Sequence, residues 1–210
     1  MVQKPDLWEE MAFYAEGYRH IAGLDEAGRG SWAGPVVAGA VILPLHRPDL
    51  SQELDGVRDS KQLTPRQRER LYPIIESTAL AAGVGIVPPQ EIDKVGIVPA
   101  TRQAMSLAIA QLDLPPDFLL IDYLTLSGLP ISQKSITHGD ALSLSIAAAS
   151  IVAKVTRDRL MVQLDARYPG YGFARHKGYG TPQHRESLFC LGPCPIHRLS
   201  YAPMKLMPQE

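Results

Sequence analysis

Residues 21–30 read IAGLDEAGRG, an apolar run that ends in two adjacent acids and a glycine-flanked arginine. The apolar part predicts a short strand over 20–25, with Asp25 and Glu26 at its end. A second apolar run, PVVAGAVIL over 35–43, follows after a glycine-rich turn, and the pair predicts a hairpin. Neighbouring side chains of a strand point to opposite faces, so the two adjacent carboxylates need an explanation.

The rest of the chain alternates between helix and strand signals. The predicted elements are a helix from Pro65 to about Ala81, a strand over 84–87, a helix over 99–111, a strand over 118–121, a long helix from Ala141 to about Tyr168 and a last helix from Pro182 to Gly192. The stretch YGFARHKGYGTP, between the last two helices, is expected to be a loop rich in glycine, aromatic and basic residues. This order predicts an α/β fold with a mixed β-sheet, followed from about residue 169 by a small helical region.

The composition is that of a globular chain with one core. The chain has 210 residues, of which 45% are hydrophobic, and its N-terminus lacks the apolar stretch of a signal peptide. No apolar run reaches the ~20 residues that a membrane helix needs, so no membrane contact is expected. Cys190 and Cys194 make no disulfide framework and are expected to be free thiols. These features together predict a cytoplasmic protein.

Charge is distributed unevenly along the chain. Residues 1–153 hold 12 Lys and Arg against 18 Asp and Glu, whereas residues 154–205 hold 9 against 3. A basic C-terminal quarter opposite acidic groups suits a polyanion bound through metal ions, although a solvated surface explains the segregation equally well. His176, His184 and His197, in the same quarter, are expected to be phosphate contacts or helix-end groups rather than metal ligands.

Four acids stand where an apolar run stops or a helix begins: Asp25, Glu26, Asp122 and Asp140. Taken singly, Asp140 could cap the long helix and Asp122 could be a turn residue. Taken together, they predict a site at the strand ends of an α/β sheet. Clustered carboxylates repel one another unless cations are present, and hard oxygen ligands favour Mg²⁺ or Mn²⁺. Two such ions can hydrolyse a phosphodiester, a pattern that admits nucleases, phosphatases and polymerases.

Two short polar clusters adjoin these acids in the sequence. The Gly28-Arg29-Gly30 turn would let the main chain approach a small group such as a sugar hydroxyl. A tight turn without any binding role would explain the two glycines equally well. The stretch Asp59-Ser60-Lys61 lies in a polar loop. In the basic aromatic loop, Arg175 and Lys177 are the expected contacts with nucleic acid.

Several stretches, in order along most of the chain, carry a resemblance. They are DEAGRG, DSKQL, the Asp after FLLI, GDALSLSIAAASIVAKVTRD, YPGYGFARHKGYGTPQH and GPCPIHRLSY. The chain resembles bacterial ribonuclease HII, of the type 2 ribonuclease H family. The resemblance implies a ribonuclease H-like mixed β-sheet flanked by helices over 1–168, and a small C-terminal helical region with the basic aromatic loop over 169–210.

The resemblance also implies an activity and a site. The family cuts the RNA strand of RNA–DNA hybrids and the 5′ side of single ribonucleotides embedded in duplex DNA, using two Mn²⁺ or Mg²⁺ ions and leaving 3′-hydroxyl and 5′-phosphate ends. The implied metal-binding catalytic acids are Asp25, Glu26, Asp122 and Asp140. The implied substrate contacts are Gly28, Arg29 and Gly30 at the ribose 2′-hydroxyl, Tyr179 at the ribose-to-deoxyribose step, and Ser60 and Lys61 at phosphate. The tail MKLMPQE is weighed as a sliding-clamp contact against a frayed end.

Three positions depart from the family pattern, and three rival functions remain open. His138 stands where Lys is expected, Gly96 where Asn is expected and Tyr123 where Gly is expected. The rivals are a nucleic-acid-binding module that does not cut, a metal-dependent phosphatase on small substrates, and a ribonuclease HIII-type enzyme. The last would normally have an additional N-terminal domain, for which residues 1–19 are too short.

Overall fold

One mixed β-sheet of five strands lies at the centre of the computed structural model, which describes residues 4–207. The strands are β1 (Ile21–Ala27), β2 (Val36–Ile42), β3 (Ala81–Val87), β4 (Phe118–Asp122) and β5 (Ser132–Ile136). Their order across the sheet is β3-β2-β1-β4-β5, with β1, β2 and β3 antiparallel and with β1, β4 and β5 parallel. The predicted hairpin and the predicted mixed sheet are therefore confirmed.

Helices flank this sheet on both faces. They are α1 (Trp8–Ala15), α2 (Leu50–Glu53), α3 (Pro65–Thr78), α4 (Pro89–Val95), α5 (Ile97–Ala110), α6 (Gly139–Leu142), α7 (Leu144–Arg167), α8 (Phe173–His176) and α9 (Pro182–Leu191), with 3₁₀ turns at Ser60–Gln62 and Met204–Leu206. Helix α3 begins as the sequence predicts, because Thr64 and Gln67 form a capping box around Pro65.

Glycines in the strands let two helices lie directly on the sheet. A Cβ at Gly23 or Gly39 would collide with the backbone of α7, and a Cβ at Gly83 or Gly85 would collide with the backbone of α5. Helix α7 therefore covers one face of β1 and β2, while α5 covers the opposite face of β2 and β3. Strand β1 is buried along almost its whole length, so its carboxyl end is where polar side chains can reach a pocket.

Several predicted boundaries are wrong. The expected helix over 141–168 is two helices, α6 and α7, because Ser143 is extended (φ −100°, ψ 129°) and its side chain caps α7 at the Ile146 amide. Helix α3 ends at Thr78 rather than near Ala81, and β3 begins at Ala81 rather than Val84. The sequence reading missed α1, α4 and β5, and it missed the short helix α8 inside the aromatic loop.

The C-terminal region has a small apolar cluster of its own. Its buried members are Ala33, Met161, Tyr171, Phe173 and Ile196. Since Ala33 and Met161 come from the larger part of the chain, this cluster also attaches the region to the sheet, and the boundary at 168/169 stays a prediction. Within residues 4–207, no helix is both long and apolar enough to cross a membrane.

Candidate active site

The carboxyl ends of β1 and β4 meet at a pocket of about 520 Å³. Leu24 of β1 pairs with Ile121 of β4, so the residues that follow them, Asp25 and Asp122, emerge side by side. Nine of the twelve residues predicted for the site line the pocket, and Ala27, Arg68 and Lys154 join them. Asp140, Arg175 and Lys177 are the three predicted residues outside the lining, and Asp140 adjoins the pocket through its contact with Lys61.

Asp25 is buried among other acids. The residue is only 3% exposed, and its Oδ1 accepts a hydrogen bond from the Glu26 backbone N–H at 2.7 Å. Burial, and then the negative charges of Glu26 and Asp122, raise the pKa of Asp25 well above its usual value, while Lys61 opposes the rise. A cation placed in this pocket would therefore relieve an electrostatic cost that Lys61 compensates only in part.

Glu26 has one oxygen held and one left over. Its Oε1 accepts from Arg29 Nη1 at 3.2 Å, whereas its buried Oε2 has no hydrogen-bond partner within the part of the chain that the structure describes. Burial raises the pKa of Glu26, and Arg29 opposes this. The predicted strand end at residue 25 is wrong, since β1 continues to Ala27, yet both acids border the pocket.

Asp122 and Asp140 are tied to each other through the backbone. Asp122 Oδ1 accepts from the Gly139 N–H at 2.8 Å, which draws the start of α6 toward β4. Asp140 is 4% exposed, and its Oδ2 accepts from Lys61 Nζ at 3.0 Å. The alternative that Asp140 caps the long helix is wrong, because Asp140 lies inside α6 and Ser143 caps α7.

The Gly28-Arg29-Gly30 turn lines the same pocket as the acids, and its two glycines are needed for different reasons. Gly28 has φ +94°, and a Cβ there would strike the guanidinium of Arg157. Gly30 has an ordinary φ, and a Cβ there would meet no atom of residues 4–207 within 4 Å. The fold therefore requires glycine at 28, while glycine at 30 only keeps space open in the pocket.

Two buried arginines hold this turn and the segment that follows it, and the sequence analysis gave neither a role. Arg198 donates to the carbonyl oxygens of Gly28, Arg29 and Gly34 at 2.7, 2.8 and 3.0 Å. Arg157 donates to the carbonyl oxygens of Pro35, Ala33 and Lys177 and to the hydroxyl of Ser31. Both arginines lie within stretches quoted for the resemblance, KVTRD and HRLSY, but a charged residue in a sequence gives no sign that it is buried.

Tyr179 closes the pocket on the side of the C-terminal region. Its loop is anchored because the N–H of Trp32 donates to the carbonyl of Gly178 at 2.8 Å. The Tyr179 ring is partly exposed and lies 5.7 Å from Lys154 Nζ and 5.5 Å from the Arg157 guanidinium carbon. Lys154, which the sequence reading also missed, thus brings a positive charge beneath an accessible aromatic ring.

The two predicted loop cations lie outside the pocket. Arg175 is exposed on α8, and Lys177 borders a separate groove with Arg68 and Arg159. Ser60 and Lys61 do reach the pocket, and the Ser60 N–H donates to Ser150 Oγ of α7 at 3.2 Å.

The three C-terminal histidines are buried, so contact with phosphate, one of the two roles expected for them, is wrong. The other role holds for two of them, because His176 ends α8 and His184 lies in the first turn of α9. The Cys194 N–H donates to His197 Nδ1 at 2.9 Å, and the two Nε2 atoms of His197 and His184 are 3.0 Å apart. His184 Nδ1 then lies 3.0 Å from the Tyr179 carbonyl, and the ring of His176 stacks on His184 at 4.4 Å. This arrangement is consistent with a chain of neutral imidazoles that ends on the backbone of Tyr179.

The donor set suits a hard divalent cation. It offers only carboxylate oxygens, one of which, Glu26 Oε2, is buried without a partner in the described residues. Among residues 4–207, no group of three His, Cys, Asp or Glu side chains is spaced as a finished metal cage. A cation would therefore have to draw the carboxylates together, and it would at the same time remove the repulsion that raises the pKa of Asp25.

Comparison with known proteins agrees with this geometry. The family model described as Ribonuclease HII matches residues 22–204. Ribonuclease HII of Dehalococcoides mccartyi is 56% identical over 204 residues, which cover 97% of this chain and 95% of the relative. The crystal structure of ribonuclease H2 from Pyrococcus horikoshii OT3 matches with a TM-score of 0.75 at 29% identity, over 89% of this chain and 95% of that chain.

A second solved structure, the PCNA:RNase HII complex from Archaeoglobus fulgidus, matches with a TM-score of 0.69 at 25% identity, over 90% of this chain and 98% of that chain. Similarity to this family of ribonucleases therefore argues against two of the alternatives, a binding module that does not cut and a small-substrate phosphatase. The chain belongs to the ribonuclease HII family and is a ribonuclease H endonuclease.

Proposed function

We propose that this enzyme cleaves the RNA strand of RNA–DNA hybrids and the 5′ side of single ribonucleotides embedded in duplex DNA. The observation that carries the proposal is one pocket with two unlike walls: acids at the ends of β1 and β4, and the turn Gly28–Gly30 together with Tyr179. The first wall suits phosphodiester hydrolysis, and the second suits recognition of one nucleotide at the same place.

The four acids Asp25, Glu26, Asp122 and Asp140 would hold two divalent ions, Mg²⁺ or Mn²⁺. Supporting this are the all-oxygen donor set, the raised pKa of Asp25 and Glu26, and the partnerless Oε2 of Glu26 in the described residues. When bound, such ions supply Lewis-acid stabilisation of the charge that develops on the phosphate and on the leaving oxygen.

The Gly28-Arg29-Gly30 turn would recognise the ribose 2′-hydroxyl. That hydroxyl is both a donor and an acceptor, and it distinguishes RNA from DNA at a single position. Gly30 supports the role because its missing side chain leaves space that no described atom of the protein fills. Arg198 and Tyr201 donate to the carbonyl of Arg29, so the turn is held rigid before a substrate arrives.

The other residues of the pocket would position the backbone and sugars of the substrate. Tyr179 would pack on the deoxyribose next to the ribonucleotide and disfavour a second ribose there, a role that its accessible ring supports. Ser60 and Lys61 would contact a phosphate, and Lys154 and Arg68 add positive charge to the same pocket. Arg175 and Lys177 would contact phosphates outside it.

The reaction is a hydrolysis without a covalent intermediate on the protein. Water adds to the phosphorus, the bond between phosphorus and the 3′ oxygen of the preceding nucleotide breaks, and the products carry a 3′-hydroxyl and a 5′-phosphate. The carboxylates keep the pocket anionic. They also lie at a fixed position relative to the turn that recognises the 2′-hydroxyl. The 2′-hydroxyl is recognised but is not the nucleophile, so no 2′,3′-cyclic phosphate forms.

The test is a labelled duplex that carries one ribonucleotide, with its product ends mapped beside those of a long hybrid. Tyr179→Ala should impair cleavage of the single-ribonucleotide duplex more than cleavage of the hybrid, and Tyr179→Phe, which keeps the ring, should be close to wild type. Gly30→Ala should keep the wild-type melting temperature and lose most cleavage of the single-ribonucleotide duplex, because the new methyl group enters only pocket space.

Two outcomes would contradict this proposal. One is a wild-type enzyme that cuts the hybrid but leaves the single-ribonucleotide duplex intact, or that produces a cyclic phosphate. The other is a Gly30→Ala variant with unchanged preference between the two substrates.

We also propose a division of the chain and a partner. Residues 1–168 would form the catalytic unit and 169–210 the C-terminal helical region. The tail MKLMPQE is the candidate contact for a sliding clamp, and the A. fulgidus complex is the support for it. Met204 is buried and Leu206 is 82% exposed, while residues 208–210 lie outside the described part of the chain. Removing residues 205–210 should abolish clamp binding and leave cleavage unchanged; retained binding would contradict the assignment.

A further inference from the structure

Helix α1 buries a carboxylate that no sequence feature explains. Glu10 is 0% exposed, and its Oε1 accepts three hydrogen bonds from the first residues around the start of α7. The donors are Ser143 Oγ at 2.6 Å, the Ser145 N–H at 2.8 Å and Ser145 Oγ at 2.7 Å. A single oxygen of the N-terminal helix thus collects three donors from a segment more than 130 residues away.

The backbone on both sides of Ser143 is held by the same N-terminal segment. The Asp6 N–H donates to the Leu142 carbonyl at 3.0 Å, and the Leu144 N–H donates to the Asp6 carbonyl at 2.8 Å. Residues 6–10 therefore hold the break between α6 and α7 by main chain and side chain together. This is the break that replaces the continuous helix expected from the sequence.

A chain of hydrogen bonds leads from Glu10 to the acids of the site. Ser143, which donates to Glu10 through its hydroxyl, donates through its N–H to the Gly139 carbonyl at 2.8 Å. Gly139 in turn donates its N–H to Asp122 Oδ1 at 2.8 Å. Asp140 follows Gly139 directly within the four residues of α6, so the orientation of this one turn fixes Asp140 and restrains Asp122.

A carboxylate is a costly way to fill this position. Burial raises the pKa of Glu10, and its three hydrogen bonds only oppose that rise. Its Oε2 is buried and finds no hydrogen-bond partner in residues 4–207. An apolar side chain would fill the space without this cost, but it could not accept from Ser143 and Ser145. A carboxylate therefore contributes hydrogen bonds of defined direction, and these fix the residue at which α7 begins.

The geometry points to Glu10 as a positioning residue of the active site, acting through Ser143 to fix the placement of Asp140 and Asp122. This inference rests on the proposed role of those two acids in metal binding. It assigns a task to helix α1, which the family resemblance leaves without one.

The test measures Mn²⁺ affinity by calorimetry, together with kcat and KM on a hybrid substrate. Glu10→Met should weaken Mn²⁺ binding by about tenfold, as expected for loss of a group that orients metal ligands. It should also lower kcat while KM for the hybrid stays unchanged. Glu10→Gln, whose amide oxygen can still accept from both serines, should recover most of the affinity.

Glu9→Gln is the matched control, since the neighbouring Glu9 accepts from Lys134 Nζ at 2.7 Å and, within residues 4–207, makes no hydrogen bond or ion pair with α7. The Mn²⁺ affinity and the kcat of Glu9→Gln should equal those of the wild type. A Glu10→Met variant with wild-type Mn²⁺ affinity and kcat would overturn the inference. Should that variant fail to fold, Ser143→Ala decides, because it removes the hydroxyl that donates to Glu10: a Mn²⁺ affinity below that of Glu9→Gln supports the role, and an equal one overturns it.

Asp140→Asn, measured in parallel, distinguishes a failure of the proposed metal site from a failure of the positioning role of Glu10. If it binds Mn²⁺ as tightly as the wild type, the proposed metal site fails and the inference fails with it. If it binds weakly while both Glu10 variants bind normally, the metal site stands and only the positioning role is overturned.

Discussion

The two walls of the pocket bury charge in opposite ways. Asp25 is buried and Glu26 is partly buried, loss of solvent and the neighbouring acids raise the pKa of both, and one Glu26 oxygen has no partner in the described residues. Arg157 and Arg198, which lie behind the Gly28–Gly30 turn, are fully buried, but their guanidinium groups donate to a set of backbone carbonyls. The fold therefore satisfies its buried cations, whereas Lys61 and Arg29 compensate its clustered anions only in part.

This difference distinguishes the two arginines, which stabilise the fold, from the acids, which take part in the proposed reaction. A satisfied buried arginine stabilises the chain, because removing it strands carbonyls that water cannot reach. A crowded carboxylate destabilises the chain until a cation binds. Substitutions on the acidic wall should thus affect activity, and substitutions on the arginine wall should affect stability.

The largest expected effect is on activity at the acidic wall. Asp122→Asn and Asp140→Asn should each lower the cleavage rate by roughly two orders of magnitude or more, because each removes a main electrostatic element of the site. Their melting temperatures without metal should be no lower than that of the wild type, since like-charge repulsion falls. Exposed Asp113→Asn is the control for both measurements. Near-normal cleavage would remove either acid from the site.

Next in size is a loss of stability at the arginine wall. Arg198→Met would strand the carbonyls of Gly28, Arg29 and Gly34 at a cost of about 1–3 kcal/mol each. At roughly 2–4 °C per kcal/mol, the melting temperature should fall by more than about 6 °C. Arg159→Met, which loses an exposed pair with Glu69 and a contact over the Tyr72 ring, should change the melting temperature by about 2 °C or less. Equal shifts in the two variants would contradict the structural role of Arg198.

A smaller effect should appear in the pH dependence of stability. Burial lowers the pKa of His184 and of His197 to about 4. In the unfolded chain these groups take up protons near pH ~6.5, so the unfolded state binds more protons between about pH 6.5 and 4. The contribution of these two histidines to the free energy of unfolding should therefore fall as pH drops through that window and level off below it, whereas the raised pKa of Asp25, Glu26 and Glu10 acts in the opposite direction.

His197→Gln should make that fall shallower, and exposed His46→Gln should leave it as in the wild type. Thermal melts at several pH values between pH ~7 and ~4 give the comparison. A profile for His197→Gln that runs parallel to that of the wild type would contradict the buried neutral pair.

The smallest expected effect concerns the loop cations outside the pocket. An Arg175→Ala/Lys177→Ala double variant should reduce the slope of log affinity against log salt by up to about two, since each lost phosphate contact removes about one unit. The cleavage position should stay the same. Arg19→Ala, before the amino end of β1, serves as the control. An unchanged slope in the double variant would place both residues away from the nucleic acid.

The sequence predicts the acidic wall better than the arginine wall. Asp25 and Asp122 follow apolar runs, and strand ends in an α/β sheet are where sites form, so their meeting could be expected. Arg157 and Arg198 bind backbone carbonyls from several segments, and no spacing in the sequence encodes such partners. The family resemblance covers the stretches that contain both arginines, yet only the folded chain shows that they are buried.

The errors in the predicted elements have physical causes as well. The long helix breaks at Ser143 because Glu10 and Asp6, far away in sequence, bind on either side of it. Strand β5, with the sequence SQKSI, lies at the sheet edge with one buried residue, so it lacks an apolar signal. Tyr123 and His138, two departures from the family pattern, adopt positive φ of 60° and 57°, a conformation no local pattern predicts for these residue types.

The central claim, that the acidic wall awaits cations from outside the chain, is tested most directly by thermal unfolding with and without Mg²⁺ or Mn²⁺. The wild-type melting temperature should rise with metal, because the ions bind the folded state and relieve the repulsion around Asp25. Asp25→Asn should melt no lower than the wild type without metal and gain much less from its addition. A wild type that metal leaves unchanged, or an Asp25→Asn variant that gains as much, would contradict the account.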